Sequence, residues 1–146
     1  MKPILPEKKK EIVLRWLRKA ESDLKVVKHL IAIKEAPTDV LCFHCQQAIE
    51  KYLKAFLTFQ DVRAKKTHDL NAIMELCIEQ DEDFKKLDKE RISSLSFFAV
   101  EIRYPEDFYI PTIEETKEYF ELALKVKDFV WRKLGINEED LMGKEK

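Results

Sequence analysis

Glycine is almost missing from this chain. Its 146 residues include two, Gly135 and Gly143, both near the C-terminus. Folds rich in β-turns need residues at φ > 0, which glycine supplies without steric cost. The composition therefore points towards helices joined by short connections. Two C-terminal glycines also cannot build a glycine-rich phosphate loop, so the chain does not read as an NTPase or a nucleotidyltransferase by itself. Cysteine is scarce too. Cys42, Cys45 and Cys77 are an odd number, which is no basis for a disulfide framework. Cys42-x-x-Cys45 sits inside an apolar stretch with no second ligand pair, so core thiols are favoured over a zinc or redox motif. No metal and no cofactor is expected. No run of about 18 apolar residues is present to cross a membrane. Residues 1–8 lack the apolar centre of a signal peptide, so a cytoplasmic location is expected. Neither sign of charge dominates: 27 Lys and Arg against 28 Asp and Glu leave a net charge of −1. Any nucleic-acid contact must then use a local basic patch. Ser93, Ser94 and Ser96 have no neighbouring histidine, which argues against a serine hydrolase.

What is present is helical periodicity. The stretch 39–59 has no glycine or proline, and Leu41, Cys45, Ile49, Tyr52 and Phe56 recur at three- and four-residue steps. Val40, Ala48, Leu53 and Leu57 widen that stripe over most of the circumference, as in a helix packed on more than one side. The narrow remaining face carries His44, Gln47, Lys51 and Lys54. Such a strip is either a solvated edge or the wall of a groove, and the solvated edge is the commoner case. A first helix is expected over about 9–33, with Val13, Trp16, Leu17, Ala20, Leu24, Val27 and Ile31 as its apolar stripe. Ala36-Pro37-Thr38 breaks it, and Thr38 or Asp39 is expected to cap the second helix. Thr67, His68 or Asp69 should cap a third helix bearing Leu70, Ile73, Met74 and Cys77. A fourth is expected over about 88–103. The loop 104–111 is rich in aromatics and should pack back on the bundle or on a partner. Thr112-Ile-Glu-Glu115 is a capping box opening a fifth helix, which Gly135 ends. The expectation is a single domain over 1–146, with its core at about 9–134 and a flexible tail at 135–146. Its class is all-α, an antiparallel up-and-down bundle of four main helices plus a short extra one.

The segment Cys42-Phe-His44-Cys-Gln-Gln47-Ala-Ile-Glu50-Lys51-Tyr-Leu-Lys54-Ala55 resembles the signature helix of the HEPN family, F-H-x-Q-Q-A-x-E-K-x-L-K-A. Thr67-His68-Asp69-Leu70 is similar to the T-H-D-L turn that follows it, and Ile102-Arg103-Tyr104-Pro105 to the family's A-R-Y-P segment. Trp16, Ala20, Asp23 and Leu24 match its first-helix pattern. The resemblance spans about residues 10–134 and implies the same helical bundle. It also implies a nucleotide- or RNA-associated module, commonly a homodimer. Many members are metal-independent endoribonucleases built on Arg-x4-6-His, often toxins; others accompany a minimal nucleotidyltransferase or bind nucleotides without cleaving anything.

The ribonuclease chemistry needs a histidine to move a proton and an arginine to stabilise charge growing on phosphate. The late arginine, Arg103, has no histidine after it, since His68 is the last in the chain. Arg63 and His68 fit the spacing literally, but before the third helix, where His68 reads more readily as a capping side chain. A binding role is the favoured reading. Lys51, Arg63, Lys65, Lys66, His68 and Arg103 are candidates for phosphate contact, joined by N–H groups at the start of the third helix. Tyr104 or Phe108 is placed to stack on a base. His44, Gln47 and Glu50 would line the groove. The expected function is a non-catalytic, dimeric nucleotide- or nucleic-acid-binding module, accessory to a nucleotidyltransferase. The alternatives are an endoribonuclease using Arg63 and His68, and a purely structural dimer.

Overall fold

The computed structural model of the chain describes residues 6–64, 66–99 and 104–142. Its helices are α1 (Pro6–Leu30), α2 (Thr38–Phe59), α3 (Leu70–Gln80), α4 (Lys89–Ser94), α5 (Ile113–Leu134) and α6 (Glu138–Met142), with 3-10 turns at Glu82–Lys86, Leu95–Ala99 and Pro105–Asp107. No strand occurs among the described residues. The all-α bundle expected from the sequence is the observed architecture.

Helix α2 is its centre. It packs chiefly on α1 and α5, with α3 and the 95–99 turn covering a further side. Leu41, Cys45, Ile49, Tyr52, Leu53, Phe56 and Leu57 are all buried. Val40 belongs to the predicted stripe but is exposed, since it lies in the first turn ahead of the packed region. Fully burying each large apolar side chain stabilises the fold by about 1.5–3 kcal/mol, so the bundle is held mainly through this helix. Phe84, from the 82–86 turn, closes one end. Its ring lies 4.5 Å from that of Phe56 and 4.8 Å from that of Phe129. Lys133 on α5 clips the same turn, with Nζ 2.8 Å from Asp81 Oδ2 and 2.6 Å from Asp83 Oδ2.

The helix ends follow local chemistry. Asp61 adopts φ 62° after α2, where Asp61 N–H donates to Thr58 O and Val62 N–H to Leu57 O. This is a Schellman ending built without glycine. Lys9 on α1 braces it, donating to Phe59 O at 3.1 Å and to Asp61 Oδ2 at 3.2 Å. Gly135, at φ 68°, ends α5 in the same way, and the Thr112–Glu115 capping box is formed as expected.

Several boundaries differ from expectation. Helix α1 runs from Pro6 to Leu30, starting and ending about three residues ahead of the expected 9–33. Neither Thr38 nor Asp39 is the N-cap of α2; that position is Pro37, with no side-chain cap. Among the described residues the expected fourth helix is a short α4 that tightens into the 95–99 turn; residues 100–103, its expected end, lie outside them. Its serines explain the break: Ser94 Oγ donates back to Arg91 O at 2.6 Å, and Ser96 Oγ accepts from Leu70 N–H at 2.8 Å. Such local bonds compete with the helical ladder. The expected tail contains α6, which docks on α1. Arg18 Nε and Nη2 donate to Leu141 O at 3.2 and 3.1 Å, and Leu141 is buried.

Candidate functional site

Two polar clusters sit on the α2 strip. The first gathers around Glu50, which is only 5% exposed. Lys54 Nζ lies 2.8 Å from its Oε2, one turn along the same helix. Gln46 Nε2, one turn back, donates to Oε1 at 2.9 Å. His68 Nδ1 approaches from the α2–α3 loop, 3.0 Å from Oε1 and 3.1 Å from Oε2. Burial pushes the Glu50 carboxyl up, but the hydrogen bonds from Lys54, His68 and Gln46 more than offset it and hold it below the ordinary glutamate value. The fully buried Gln46 has both ends of its amide satisfied: Nε2 also reaches His68 O at 3.4 Å, and Oε1 accepts from Gln47 Nε2 at 2.7 Å. Lys54 further donates to Thr67 O at 3.1 Å and lies over the Trp16 ring. The T-H-D-L turn is thus pinned onto α2 from beneath.

The second cluster is centred on Asp23 of α1, 8% exposed. Its Oδ2 lies 2.6 Å from Lys51 Nζ and its Oδ1 2.8 Å from His44 Nδ1. The strip His44–Gln47–Lys51–Lys54 is therefore a packed polar seam, mostly between α1 and α2, and not the solvated edge that the pattern favoured. Lys51, read as a phosphate ligand, has its ammonium engaged by Asp23.

His68 is not a helix cap. Asp69 caps α3, its carboxylate accepting from Asn71 N–H at 3.0 Å, while Leu70 N–H is taken by Ser96 Oγ. These amides were expected to be free for an anion and are already engaged. What His68 does instead is project outward: its side chain is 64% exposed, with Nδ1 directed to Glu50 and Nε2 left for solvent or ligand. Arg63 and Lys66, on the same loop, are exposed and make no ion pair or hydrogen bond with a described residue. Lys65 and Arg103 lie outside the described residues.

A family model for the HEPN domain matches residues 13–135. This chain belongs to the HEPN domain family. Searches of curated proteins and of solved structures each found no match. The residues that build the two clusters belong to motifs by which the HEPN resemblance is recognised: Asp23 in the first-helix pattern, His44, Gln46, Gln47, Glu50, Lys51 and Lys54 in the α2 signature, and His68 in the T-H-D-L turn. In this HEPN domain those motif positions pair with one another across α1, α2 and the α2–α3 loop.

Chemically, the arrangement presents a histidine, oriented by a buried carboxylate, on a loop that also carries exposed cations. Such a surface can hold a phosphate group through charge-assisted hydrogen bonds. The aromatic loop adds a second surface. Tyr104 is 74% exposed, and Phe108 and Ile110 are also turned outward. Tyr109 packs back in part, its hydroxyl donating to Glu115 at 2.7 Å and its ring edge-on to Phe97. The expectation that this loop packs on the bundle is met by Tyr109 and the buried Pro111, while its other large side chains face outward. The three thiols are buried in the core. Burial pushes Cys42 up to about 11, and pushes Cys45 and Cys77 higher still. No described helix is long and apolar enough to cross a membrane.

Proposed function

We propose that this HEPN domain is a non-catalytic binding module that grips a nucleotide or RNA phosphate with its α2–α3 loop, using Arg63, Lys66 and His68. One observation carries the reading: His68 is held at Nδ1 by the buried Glu50 while most of its side chain faces solvent, and Arg63 and Lys66 of the same loop are exposed without a partner among the described residues. A ligating group ordered from below loses little freedom on binding. The module forms a homodimer, for which the outward Tyr104, Phe108 and Ile110 offer apolar surface, and works beside a separate nucleotidyltransferase, as the family resemblance implies. The test is fluorescence anisotropy with a labelled single-stranded RNA at two salt concentrations. The reading expects affinity to fall with salt, and to fall in R63A, K66A and H68A with at most a small loss of stability. Unchanged affinity in all three removes the loop from the interface.

The second reading is a metal-independent endoribonuclease using the same Arg63 and His68. The Glu50–His68 pair favours it, because a carboxylate at Nδ1 fixes the tautomer that a general acid or base uses at Nε2.

A further inference from the structure

The outer face of α1 has one sign of charge. From Ile12 to Leu30 its exposed charged residues are Arg15, Lys19, Lys25 and Lys28. The two acids of that stretch are turned inward: Glu21 to Tyr52 and Lys127, Asp23 to Lys51 and His44. None of the four exposed cations pairs with a described residue. Arg15 and Lys19 are four apart and Lys25 and Lys28 three apart, spacings at which like charges repel along a helix. In a chain of net charge −1, such a face calls for an anionic neighbour.

Beside this face, α1, α5 and α6 border a groove of 580 Å³. Lys25 and Lys28 line its α1 side, and Phe120, Leu124 and Trp131 its α5 side. Leu124 and, on α6, Met142 are exposed. Part of the groove is already taken by a helix. The chain's own α6 buries Leu141 there and brings Glu138 to the lining, while Arg18 donates to Leu141 O and so caps the last carbonyls of α6. This seat shows which partner the groove accepts: a helix with an apolar side chain turned inward and carboxylates towards the cations.

We propose that the open part of this groove docks an acidic amphipathic helix of a partner protein, its apolar stripe on Phe120, Leu124 and Trp131 and its carboxylates on Lys25 and Lys28. Helices bind grooves in this way through apolar anchors at three- and four-residue spacing. A polyanion without apolar side chains would satisfy the lysines and leave Leu124 and Met142 uncovered. None of the lining residues belongs to the α2–α3 loop, so the inference stands apart from the function proposed above.

The probe is a fluorescein-labelled peptide of about four helical turns, with leucine along one face and glutamate along the other. It is titrated into the full chain and read by anisotropy. The expected result is saturable binding, weakened about tenfold in K25E/K28E and about tenfold in L124E. The substituted side chains are exposed, and a melting curve of each variant checks that the bundle is intact. The same peptide with lysine in place of glutamate should fail to bind the parent and should bind K25E/K28E. R63A/H68A should bind the acidic peptide as the parent does, and single-stranded RNA should not displace it. The absence of saturable binding, or equal binding in K25E/K28E and L124E, overturns the proposal. Binding of the lysine peptide to the parent as tightly as the acidic one overturns the charge assignment and with it the proposal. Displacement by RNA, with RNA affinity lost in K25E/K28E and kept in R63A/H68A, also overturns it and makes the face of α1 a nucleic-acid surface.

Discussion

His68 Nδ1 lies 3.0 Å from Glu50 Oε1, joining an exposed loop histidine to a carboxylate buried in the central helix. The two residues do different work in that pair. Glu50 also receives Lys54 and Gln46, so its removal strands buried donors. E50A should lower stability by about 3 kcal/mol, the scale for breaking a buried, hydrogen-bonded ion pair. H68A leaves Glu50 with Lys54 and Gln46, and should cost under about 1 kcal/mol. Urea unfolding of both variants checks the contrast. Similar losses in the two would mean that His68 is a structural residue.

Lys51 gives the opposite expectation. Its ammonium is 2.6 Å from Asp23 Oδ2, which His44 also contacts. K51A should therefore lower stability, by about 1–2 kcal/mol for a half-buried pair, and leave RNA affinity unchanged. D23A should cost more, because it releases both Lys51 and His44. Thermal melts combined with RNA anisotropy separate the two effects. A loss of RNA affinity in K51A at full stability would return Lys51 to the binding surface.

The Glu50 carboxyl sets a pH dependence. Its folded value lies below the ordinary 4.5, so it binds fewer protons folded than unfolded near that pH. The stability it contributes is complete above about pH 4.5 and is lost as pH falls through the lower folded value. The melting temperature should fall on acidification below about pH 4.5, and less steeply in E50Q than in the parent after allowing for the variant's lower starting stability. Parallel acid profiles would assign the dependence to other carboxylates.

The thiols should be inert in the folded chain. Burial raises all three, Cys42 to about 11, so almost no thiolate is present at pH 8 and none of the side chains is open to reagent. Ellman's reagent should label none of them natively and all three in denaturant. Fast native labelling would show that the α2 core opens.

Much of this fold was legible because α2 has so consistent a pattern. An apolar helix without glycine or proline has few alternatives, and the Thr112–Glu115 box and Gly135 mark the ends of α5 by chemistry that acts within a few residues. Helix α6 escaped notice although its signal is local as well: Asn137 N–H donates to Asp140 Oδ2 and Asp140 N–H to Asn137 Oδ1, a reciprocal cap. The shortening of α4 was hidden for a different reason. It depends on Ser96 meeting Leu70 N–H, a contact between residues 26 positions apart. The site was legible by residue and illegible by pairing. The motif named Asp23, Glu50, Lys51 and His68, but spacing along α2 cannot reveal that Asp23 on α1 engages Lys51, or that Asp69 rather than His68 caps α3.

The most direct test of the binding account is incubation of labelled RNA with the full chain in EDTA, beside R63A and H68A, with cleavage and retention on a native gel read together. The account predicts intact RNA in every lane, with retention by the parent and less of it in each variant. RNA cleaved by the parent and spared by both variants would contradict it, and would make the Glu50-oriented His68 a catalytic residue.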